Sequence, residues 1–527
     1  MSKNKNNILL ILLISFSVYC ALIIGETWDH ADNLSRGKIT LDYLFSLGKL
    51  DRDITYREYY STIYWSLSYL VAKQFPSQYQ IEISHLLNLI FSLSTIIGIG
   101  KLCQELFNKK IGKIVFLLLF FYPVFFGHMA INTKDTILAF SHVWMTYLIF
   151  KYVKKQSFRD KSNQYIVYLA ILGALATGIQ LYFLGSLIPI ILFIIADIFF
   201  IKKITYKNFS FKRLLYDLII CFIIFYLLLI FFWIDTHSNI LILPFNILLE
   251  TFSENYKTGW PFNSMNGNYY FANNIPKYYL LINFFFKSPE FILICYLIFL
   301  ILILVAQEFF KKEIQFFNYK VSLVLFILIF PNIILFLIPH PIYDGMRLFL
   351  WALPYICIIP GITIYYLIEN IKNRTSKISL FLLSILIVYF LFNFFSITPY
   401  HYTYLNFFNG KVENRYKKFE NDYWGSSVKE LIKYTNFDKN KNLMFGVCGI
   451  NEKILQSHLA KKGYNNFRIV NTDHAEYIIM TNRVVPKNKE IIESELTTCF
   501  DKFRGVNLFN VKRNGLLLSV IRKKLKK

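Results

Sequence analysis

Gly25-Glu26-Thr27-Trp28-Asp29-His30-Ala31-Asp32 follows directly on an apolar run from Ile8 to Ile24. At about 1.5 Å per residue, this run is just long enough as a helix to cross the hydrocarbon core of a bilayer. Carboxylates at the end of such a span are costly to hold near hydrocarbon, so they indicate a functional role. If the helix continues, Asp29 and Asp32 lie on one face. The alternative is that they are only the first hydrated residues after the span.

The composition is that of a membrane protein with several spans. Of the 527 residues 55% are hydrophobic, and the mean hydropathy is +0.42. The formal net charge of +24 would suit a nucleic-acid partner, but its position along the chain argues against one. Lys and Arg gather in every second connector between apolar runs, as they do in cytoplasmic loops. These connectors hold Lys101, Lys109, Lys110 and Lys113; Lys151, Lys154, Lys155, Arg159 and Lys161; Lys202, Lys203, Lys207, Lys212 and Arg213; Lys311, Lys312 and Lys320; and Lys372, Arg374 and Lys377.

The hydropathy pattern predicts about eleven transmembrane helices with the N-terminus in the cytoplasm. The spans lie near 8–24, 84–100, 114–127, 136–151, 165–180, 182–201, 214–234, 290–308, 321–338, 347–367 and 378–398. A transmembrane domain of residues 1–398 would then carry outer loops at 25–83, 128–135, 235–289 and 339–346, followed by a C-terminal domain of residues 399–527 outside the cytoplasm. The first run has no small-residue cleavage site, which indicates an uncleaved anchor. We expect an integral protein of the inner (plasma) membrane.

Two segments outside the spans have patterns of their own. Tyr56 to Leu67 is a half-apolar helical pattern and is expected to lie in the plane of the membrane interface. The C-terminal domain mixes helical stretches with strand-like runs, which predicts a small α/β fold. The strand-like runs are Leu443–Cys448, Tyr477–Met480 and Leu516–Ile521. Cys448 and Cys499 lie in this domain, where a location outside the cytoplasm would allow them to form a disulfide.

Two short outer loops hold charged residues that suit a phosphorylated ligand. In the loop 128–135, Lys134 can bind a phosphate and Asp135 a metal or a sugar hydroxyl, although Asn132 and Asp135 would equally well cap the next helix. In the loop 339–346, Asp344 is followed by Arg347 at the membrane boundary, where the fork of guanidinium donors suits a phosphate. The alternatives are an Asp344–Arg347 pair that closes a turn, or a snorkelling arginine.

Taken together, these segments resemble the polytopic glycosyltransferases of the C-type fold, the bacterial relatives of protein O-mannosyltransferases and lipid A aminoarabinose transferases. Five segments carry the resemblance in chain order: Trp28-Asp29-His30; His128 to Asp135; Gly267 to Pro276 with Tyr278-Tyr279-Leu280 and Lys287-Ser288-Pro289; Tyr343-Asp344-Gly345-x-Arg347 with Leu348-Phe349-Leu350; and, after the last span, Pro399 to Asn406 with Asp422-Tyr423-Trp424-Gly425-x-Ser427. The chain departs from the family where His30 replaces a glutamate, where Thr133 replaces a proline and where no histidine follows Arg347. A Lys-Pro-Pro element that some relatives carry is missing near Tyr59-Tyr60.

The resemblance implies an α-helical polytopic membrane protein that transfers a sugar, with inversion, from an undecaprenyl- or dolichyl-phosphate carrier. The acceptor would be a hydroxyl of a glycan, a lipid or a protein at the outer face. Asp29 would be the catalytic base, Asp135 with Lys134 would place the donor phosphate or a metal, and Arg347 would stabilise the leaving phosphate. The other expected substrate contacts are His30, Asp32, Tyr59, Tyr60, Tyr343 and Asp344. A divalent metal is compatible with this pattern but not required by it, and Asp29 and Asp135 are its candidate ligands.

Two other classes of protein stay open at this point. A transporter or flippase for lipid-linked oligosaccharides would need ionisable residues deep within the spans and broken helices near the midplane. Here the acids cluster at one membrane face, and Asp197 and Asp217 both lie near cytoplasmic ends. A structural scaffold would need no aligned acids and bases, and would tolerate substitution of Asp29 and Arg347.

Overall fold

The computed structural model describes residues 2–49, 60–156, 158–202, 209–252, 259–337, 341–488 and 495–525, without the side chains of 2–6 and 159–161. The helices in these ranges are α1 Ser2–Ile23, α2 His30–Phe45, α3 Ile63–Ala72, α4 Gln80–Leu106, α5 Lys109–Phe120, α6 Pro123–His128, α7 Asp135–Lys155, α8 Arg159–Ile179, α9 Ile188–Ala196, α10 Phe211–Phe231, α11 Leu243–Glu250, α12 Tyr279–Lys287, α13 Glu290–Val305, α14 Gln307–Glu313, α15 Phe317–Leu337, α16 Leu353–Ile356, α17 Ile358–Glu369, α18 Arg374–Ser396, α19 Arg415–Lys418, α20 Val428–Lys433, α21 Glu452–Lys462 and α22 Cys499–Lys502. The strands are β1 Phe262–Met265, β2 Asn268–Phe271, β3 Leu443–Cys448, β4 Phe467–Ile469, β5 Tyr477–Thr481, β6 Val484–Pro486, β7 Leu496–Thr498, β8 Gly505–Arg513 and β9 Leu516–Lys524.

Seven helical segments within the described ranges are long and apolar enough to cross a membrane. They are Ser77–Leu106, Ser162–Ile179, Leu181–Ile201, Phe211–Phe231, Phe317–Leu337, Arg347–Glu369 and Arg374–Ser396. The pair α12 and α13 also qualifies when taken together, but its helices are bent by 114° at their junction. The expected spans 8–24, 114–127 and 136–151 coincide with α1, α5–α6 and α7. Over the side chains that the structure describes, α1 is a shorter apolar helix, Asn7–Ile23, and the other two are not among the seven. A helical protein with membrane-type helices is therefore established, and the number of eleven spans stays a prediction.

The helices break inside one expected span and at the junction between two others. The third span breaks before Pro123, which lacks a backbone N–H and fits the first turn of the new helix α6. Between α8 and α9 the backbone of Gln180 is extended, with φ −147° and ψ 105°, and a 3₁₀ turn over Leu181–Leu187 follows. This second break coincides with the junction expected between spans five and six.

The first long loop folds into two helices instead of one interfacial segment. The structure starts α3 at Ile63, and the part of the expected segment at 56–59 lies outside the described residues. Thr62 Oγ1 donates to Thr40 Oγ1 of α2 at 2.8 Å, and Tyr64 and Trp65 are buried. Helix α3 is thus covered by α2 and α4, because its aromatic side chains pack into the protein.

The two ends of the helical bundle differ chemically. At one end Lys110 Nζ lies 2.7 Å from Glu369 Oε1, and Lys151 and Lys154 both pair with Glu105. These contacts bring three of the basic connectors together. Helix α7 runs from this end to the opposite one, where the acidic segment after α1 lies. The end with the basic connectors is expected to face the cytoplasm.

The C-terminal segment contains a five-stranded mixed sheet in the order β4-β3-β5-β9-β8. Strand β3 pairs in parallel with β4 and β5, whereas β9 pairs antiparallel with β5 and β8. All three strand-like runs of the sequence are strands here. Two hairpin-like pairs, β1–β2 and β6–β7, connect this segment to the long loop after α10, since Trp260 Nε1 donates to the Val484 carbonyl at 3.1 Å.

The segment packs directly on the end of the bundle, and one hydrophobic cluster runs through both. Gly127 of α6 lies so close to the chain after α18 that a Cβ there would be 2.0 Å from Tyr402 N. Only glycine permits this approach. Lys429 of α20 reaches back to Glu82 of α4, with Nζ and Oε1 3.1 Å apart. The C-terminal segment is therefore positioned against the acidic segment that follows α1.

Cys448 and Cys499 form a disulfide that joins the end of β3 to the start of α22, with Cα atoms 5.8 Å apart. The bridge closes a sequence separation of 51 residues. Loop-closure entropy for that length is about 4 kcal/mol, so replacing both cysteines by serine should lower the free energy of unfolding by about that amount. Thermal unfolding of the purified protein in detergent measures the change, and Cys221→Ser, which removes a free thiol, is the control. Alkylation of both thiols in the native protein without reductant would contradict the bridge.

Candidate functional site

A polar cavity of about 290 Å³ lies at the end of the bundle where the C-terminal segment packs. Nine separate stretches of the chain supply its wall. The lining residues are Trp28, Asp29, Tyr60, Lys134, Asp135, Ile179, Gln180, Leu181, Tyr182, Thr251, Gly259, Trp260, Tyr343, Asp344, Arg347, Leu348, Trp424 and Arg483. Charged groups at one end of a helical bundle beside apolar helices make this cavity the candidate site.

Most of the site residues expected from the sequence meet in this cavity. Those that line it are Asp29, Tyr60, Lys134, Asp135, Tyr343, Asp344 and Arg347. His30 and Asp32 do not. Helix α2 begins at His30, whose side chain points about 100° away from that of Asp29. Asp32 lies near the same helical face as Asp29 but stays outside the cavity. His30 is buried with its ring 5.0 Å from that of His85, Asp32 is exposed, and Tyr59 lies outside the described residues.

Alternating charges form a chain along one wall of the cavity. Arg347 donates from Nε to Asp135 Oδ2 at 3.0 Å and from Nη1 to Asp344 Oδ2 at 2.8 Å. The other oxygen of Asp344 accepts from Arg483 Nη1 at 2.5 Å, and Arg483 also lies 3.3 Å from Glu420 Oε2. All five side chains are buried. Buried charges are tolerated only when paired in this way, so the chain holds its members at fixed positions.

Local backbone features set the positions of the two aspartates in this chain. Asn132 Oδ1 accepts from the N–H groups of Lys134 and Asp135, and its Nδ2 donates to Asp135 Oδ2 at 2.8 Å. Asn132 therefore orients the carboxylate of Asp135, although the helix starts at Asp135 with Lys134 as its N-cap, so Asn132 is not itself the N-cap. Asp344 and Gly345 both have left-handed backbone, with φ of 60° and 69°. A left-handed backbone is unfavourable for an aspartate, and the contacts of Asp344 with its two arginine partners compensate for this conformational free energy.

Asp29 is the most open carboxylate of the cavity. Its side chain is 41% exposed, and Oδ2 lies 3.8 Å from Lys134 Nζ and 3.6 Å from Arg347 Nη2. Burial would raise the pKa of Asp29, but the nearby Lys134 and Arg347 cations outweigh it and lower that pKa below its usual value. Asp29 is therefore an ionised carboxylate at neutral pH that faces the cavity without a short hydrogen bond to either cation.

Aromatic rings and a second arginine complete the site, and few of these residues were predicted from the sequence. The Arg347 guanidinium lies 3.9 Å from the ring centroid of Trp424, and that of Arg483 lies 4.8 Å from Trp260. Trp424 stands in a segment that the family resemblance marks. Arg483 has no such signal, because it follows β5 in a part of the chain without a recognisable motif. Cation–π contacts with these two rings help to position both guanidiniums in the cavity wall.

Asp29 and Asp135, the candidate metal ligands, both face the Arg347 guanidinium. Arg347 occupies the space between Asp29 and Asp135 and interacts with both. Within the described ranges, no three His, Cys, Asp or Glu side chains are placed to hold a metal ion. The guanidinium already supplies the positive charge that a metal would bring, so metal use stays a prediction and the chemistry below involves side chains alone.

Glu420 gives the site a pH-dependent stability. Burial raises the pKa of Glu420 to about 7, although Arg483 opposes this shift. The folded protein then keeps a proton that the unfolded chain releases from pH 4.5 upward, so the free energy of unfolding should fall as the pH rises towards 7. Glu420→Gln should flatten this fall, and thermal unfolding between pH 4.5 and 8 measures it. Glu413→Gln, at an exposed position, should leave the slope unchanged. An unchanged slope in Glu420→Gln would show that this carboxyl is ionised throughout.

The fold and site together define a helical protein with membrane-type helices and one cavity of paired acids and bases at the end of its bundle. No protein-family model and no curated protein sequence matches the chain significantly.

Solved structures of similar architecture exist. ArnT from Cupriavidus metallidurans in the apo state has a TM-score of 0.47 and 9% sequence identity, over 99% of this chain and 98% of that one. A structure of the same protein bound to undecaprenyl phosphate gives the same values. The Archaeoglobus fulgidus oligosaccharyltransferase in the apo form has a TM-score of 0.44 and 11% identity, over 88% of this chain and 65% of that one. Similarity at this level does not transfer an activity from one chain to another.

Proposed function

We propose that this protein is a membrane glycosyltransferase that moves a sugar from a polyprenyl-phosphate carrier to an acceptor hydroxyl. The observation that carries the proposal is Asp29, an open and ionised carboxylate that faces Lys134, Arg347 and Arg483 across one cavity. A base beside a cluster of cations matches a reaction in which a hydroxyl loses a proton while a phosphate leaves.

The three cations retain donors for a phosphate. Lys134 Nζ lies over the Tyr60 ring, 4.8 Å from its centroid, and makes no hydrogen bond shorter than 3.5 Å to any described residue. Arg347 uses Nε and Nη1 for its two buried aspartates, which leaves Nη2 on the Asp29 side. Arg483 Nε is buried without a partner among the described residues. A buried donor without an acceptor costs free energy that a bound phosphate oxygen would recover.

In the proposed reaction Asp29 accepts the proton of the acceptor hydroxyl as its oxygen attacks the anomeric carbon. The bond from that carbon to the phosphate oxygen breaks, and the polyprenyl phosphate leaves with the bonding electron pair. Attack from the side opposite the leaving group inverts the anomeric configuration. The cations of Arg347 and Arg483 stabilise the charge that develops on the phosphate, and Asp135 and Asp344 hold Arg347 in place.

The walls of the cavity suit both parts of such a donor. Ile179, Leu181 and Leu348 form an apolar part next to the break between α8 and α9. Trp28 and Trp260 form an aromatic corner, with ring centroids 5.8 Å apart. An apolar side accommodates the start of a polyprenyl chain, and aromatic faces accommodate a sugar ring.

We further propose the topology predicted from the charges, with the N-terminus in the cytoplasm and residues 399–527 outside it as a separate domain. The cavity would then open at the outer face of the inner membrane. An acidic residue within a span, of the kind that a transporter would use, is compatible with this topology. Asp217 accepts from Tyr152 OH at 2.7 Å and lies 3.5 Å from Arg213, so it is satisfied near the basic end of the bundle.

The test is turnover of polyprenyl-phosphate sugars by the purified protein, with release of polyprenyl phosphate followed in the presence and absence of EDTA. Release from one donor of a mixed set, undiminished by EDTA, is the expected result. Activity lost with EDTA and restored by a divalent cation would overturn the metal-free chemistry while keeping the enzyme class. Transfer of intact lipid-linked donor across vesicle membranes without any release would favour a flippase.

A further inference from the structure

A second cavity of about 290 Å³ lies outside the candidate site, between the end of α18 and the hairpin of β8 and β9. Its wall combines Glu290 of α13, residues of α18, the chain over 397–415 and Arg513-Asn514. None of these residues lines the first cavity. It is therefore a separate space at the same end of the bundle.

The charge in this cavity is positive and centred on Arg415. The Arg415 guanidinium donates from Nε to the Gly410 carbonyl at 2.9 Å and from Nη1 to the Leu405 carbonyl at 3.4 Å. It forms no ion pair with a described carboxylate. Glu290, the acid in the wall, already accepts from Phe407 N at 2.7 Å and from Tyr404 OH at 3.2 Å.

Arg513 does not add an available charge, because its Nη2 lies 2.5 Å from Glu430 Oε2. The Arg415 guanidinium donates only to carbonyl oxygens, and its interaction with the Glu290 carboxylate is electrostatic, without an ion pair among the described residues. The two backbone contacts thus orient the Arg415 guanidinium, and its Nη2 remains able to donate to an anion.

The other side of the cavity continues onto the lipid-exposed face of α18. The cavity is lined here by three residues within one helical turn, Tyr389, Phe392 and Asn393. Phe392 is 73% exposed. Towards the middle of the helix, Val388, Ile385 and Phe381 are exposed as well. An apolar strip in a membrane-type helix therefore leads up to a cavity with an unpaired cation.

We infer that this cavity binds the anionic head group of a bilayer phospholipid, with the phosphate on Arg415 and an acyl chain along α18. The charge, the aromatic and amide groups at the rim and the apolar strip match an amphiphile whose phosphate sits at the end of a membrane-spanning helix. A free phosphate would use Arg415 but not the strip. A bound lipid would tie the C-terminal segment to the membrane beside the candidate site.

Native mass spectrometry of the detergent-solubilised protein, titrated with phosphatidylglycerol, tests the inference. The wild-type protein should bind one phosphatidylglycerol at least about tenfold more tightly than phosphatidylcholine, a comparison that needs no variant. Arg415→Gln should weaken phosphatidylglycerol binding about tenfold, since it removes a charge-assisted contact. Lys417→Gln removes an equal charge from an exposed position nearby and should leave binding unchanged.

The apolar strip has its own pair of variants. Phe392→Ala should weaken phosphatidylglycerol binding severalfold, whereas Phe381→Ala, the same substitution at an exposed position of α18 outside the cavity wall, should have a smaller effect. Equal binding of phosphatidylglycerol by wild type and Arg415→Gln would overturn the inference. So would full displacement of the lipid by millimolar inorganic phosphate, since the acyl chain would then contribute nothing.

Discussion

Asp29→Asn is expected to reduce sugar transfer by about 10³-fold, within the range that a general base contributes. Asparagine has nearly the same shape as aspartate but cannot accept the proton of the acceptor hydroxyl. The folded structure should survive, because the Asp29 side chain is 41% exposed and its two ion contacts are 3.6 Å and 3.8 Å long. Such open pairs contribute less than about 1 kcal/mol to stability.

The measurement is the rate of polyprenyl-phosphate release from the preferred donor at saturating acceptor, together with thermal unfolding of the same preparation. Asp32→Asn is the matched control, since Asp32 is an exposed acid three residues further on that does not line the cavity. It should keep nearly full activity. Asp29→Asn with more than a tenth of wild-type activity would show that another group takes the proton.

The pH profile offers a second check on the role of Asp29. Because nearby cations lower its pKa below the usual value, the base should stay ionised through the neutral range. The acidic limb of the profile should therefore lie below pH 4, near or under the ordinary pKa of an aspartate. A limb near pH 6 would assign the essential ionisation to a different group.

The pattern of spans and charges was enough to place three charged residues of this cavity at the same end of the protein. Asp29, Asp135 and Arg347 each stand directly beside a long apolar run, so alternation of sides predicts that they share one membrane face. The break at Gln180 was also visible, but its place in the cavity wall was not. Hydropathy reports where a helix ends and says nothing about which neighbouring helix its end contacts.

The charged groups of the C-terminal segment could not be inferred from the sequence, unlike Trp424, which lies in a segment of the family resemblance. Arg483 and Glu420 are separated by 63 residues in sequence and meet only because the loop before α20 packs against the chain after β5. Neither residue stands beside a span or within a motif. His30 and Asp32 do not line the cavity although they stand beside Asp29 in the sequence, so closeness along the chain did not predict which residues share it.

Arg347→Lys is expected to lower sugar transfer by about 10²–10³-fold, the usual effect of removing a group that stabilises a developing negative charge. The guanidinium contacts Asp135, Asp344 and Asp29 from three different nitrogens. A lysine ammonium is a single point of charge and cannot occupy all three positions at once. The rate at saturating donor should fall more than the affinity for donor, since the charge is needed most when the phosphate leaves.

The matched control is Arg213→Lys, the same substitution in an ion pair at the opposite end of the bundle, where Arg213 lies 3.5 Å from Asp217. It should leave the rate of transfer unchanged. Arg347→Gln would test the structural part of the role, because it leaves Asp135 and Asp344 buried with one partner fewer. Breaking a buried pair in this way typically costs about 3–5 kcal/mol, so this variant should unfold at a markedly lower temperature than Arg347→Lys.

The two variants separate the charge of Arg347 from its geometry. If Arg347→Lys is stable but slow, a positive charge alone is insufficient, and the fork that joins Asp135 to Asp344 is what places a donor N–H towards the phosphate. If Arg347→Lys transfers sugar at the wild-type rate, the arginine serves only to neutralise two buried aspartates. Lys134 and Arg483, which retain donors towards the cavity, would then have to stabilise the leaving phosphate without it.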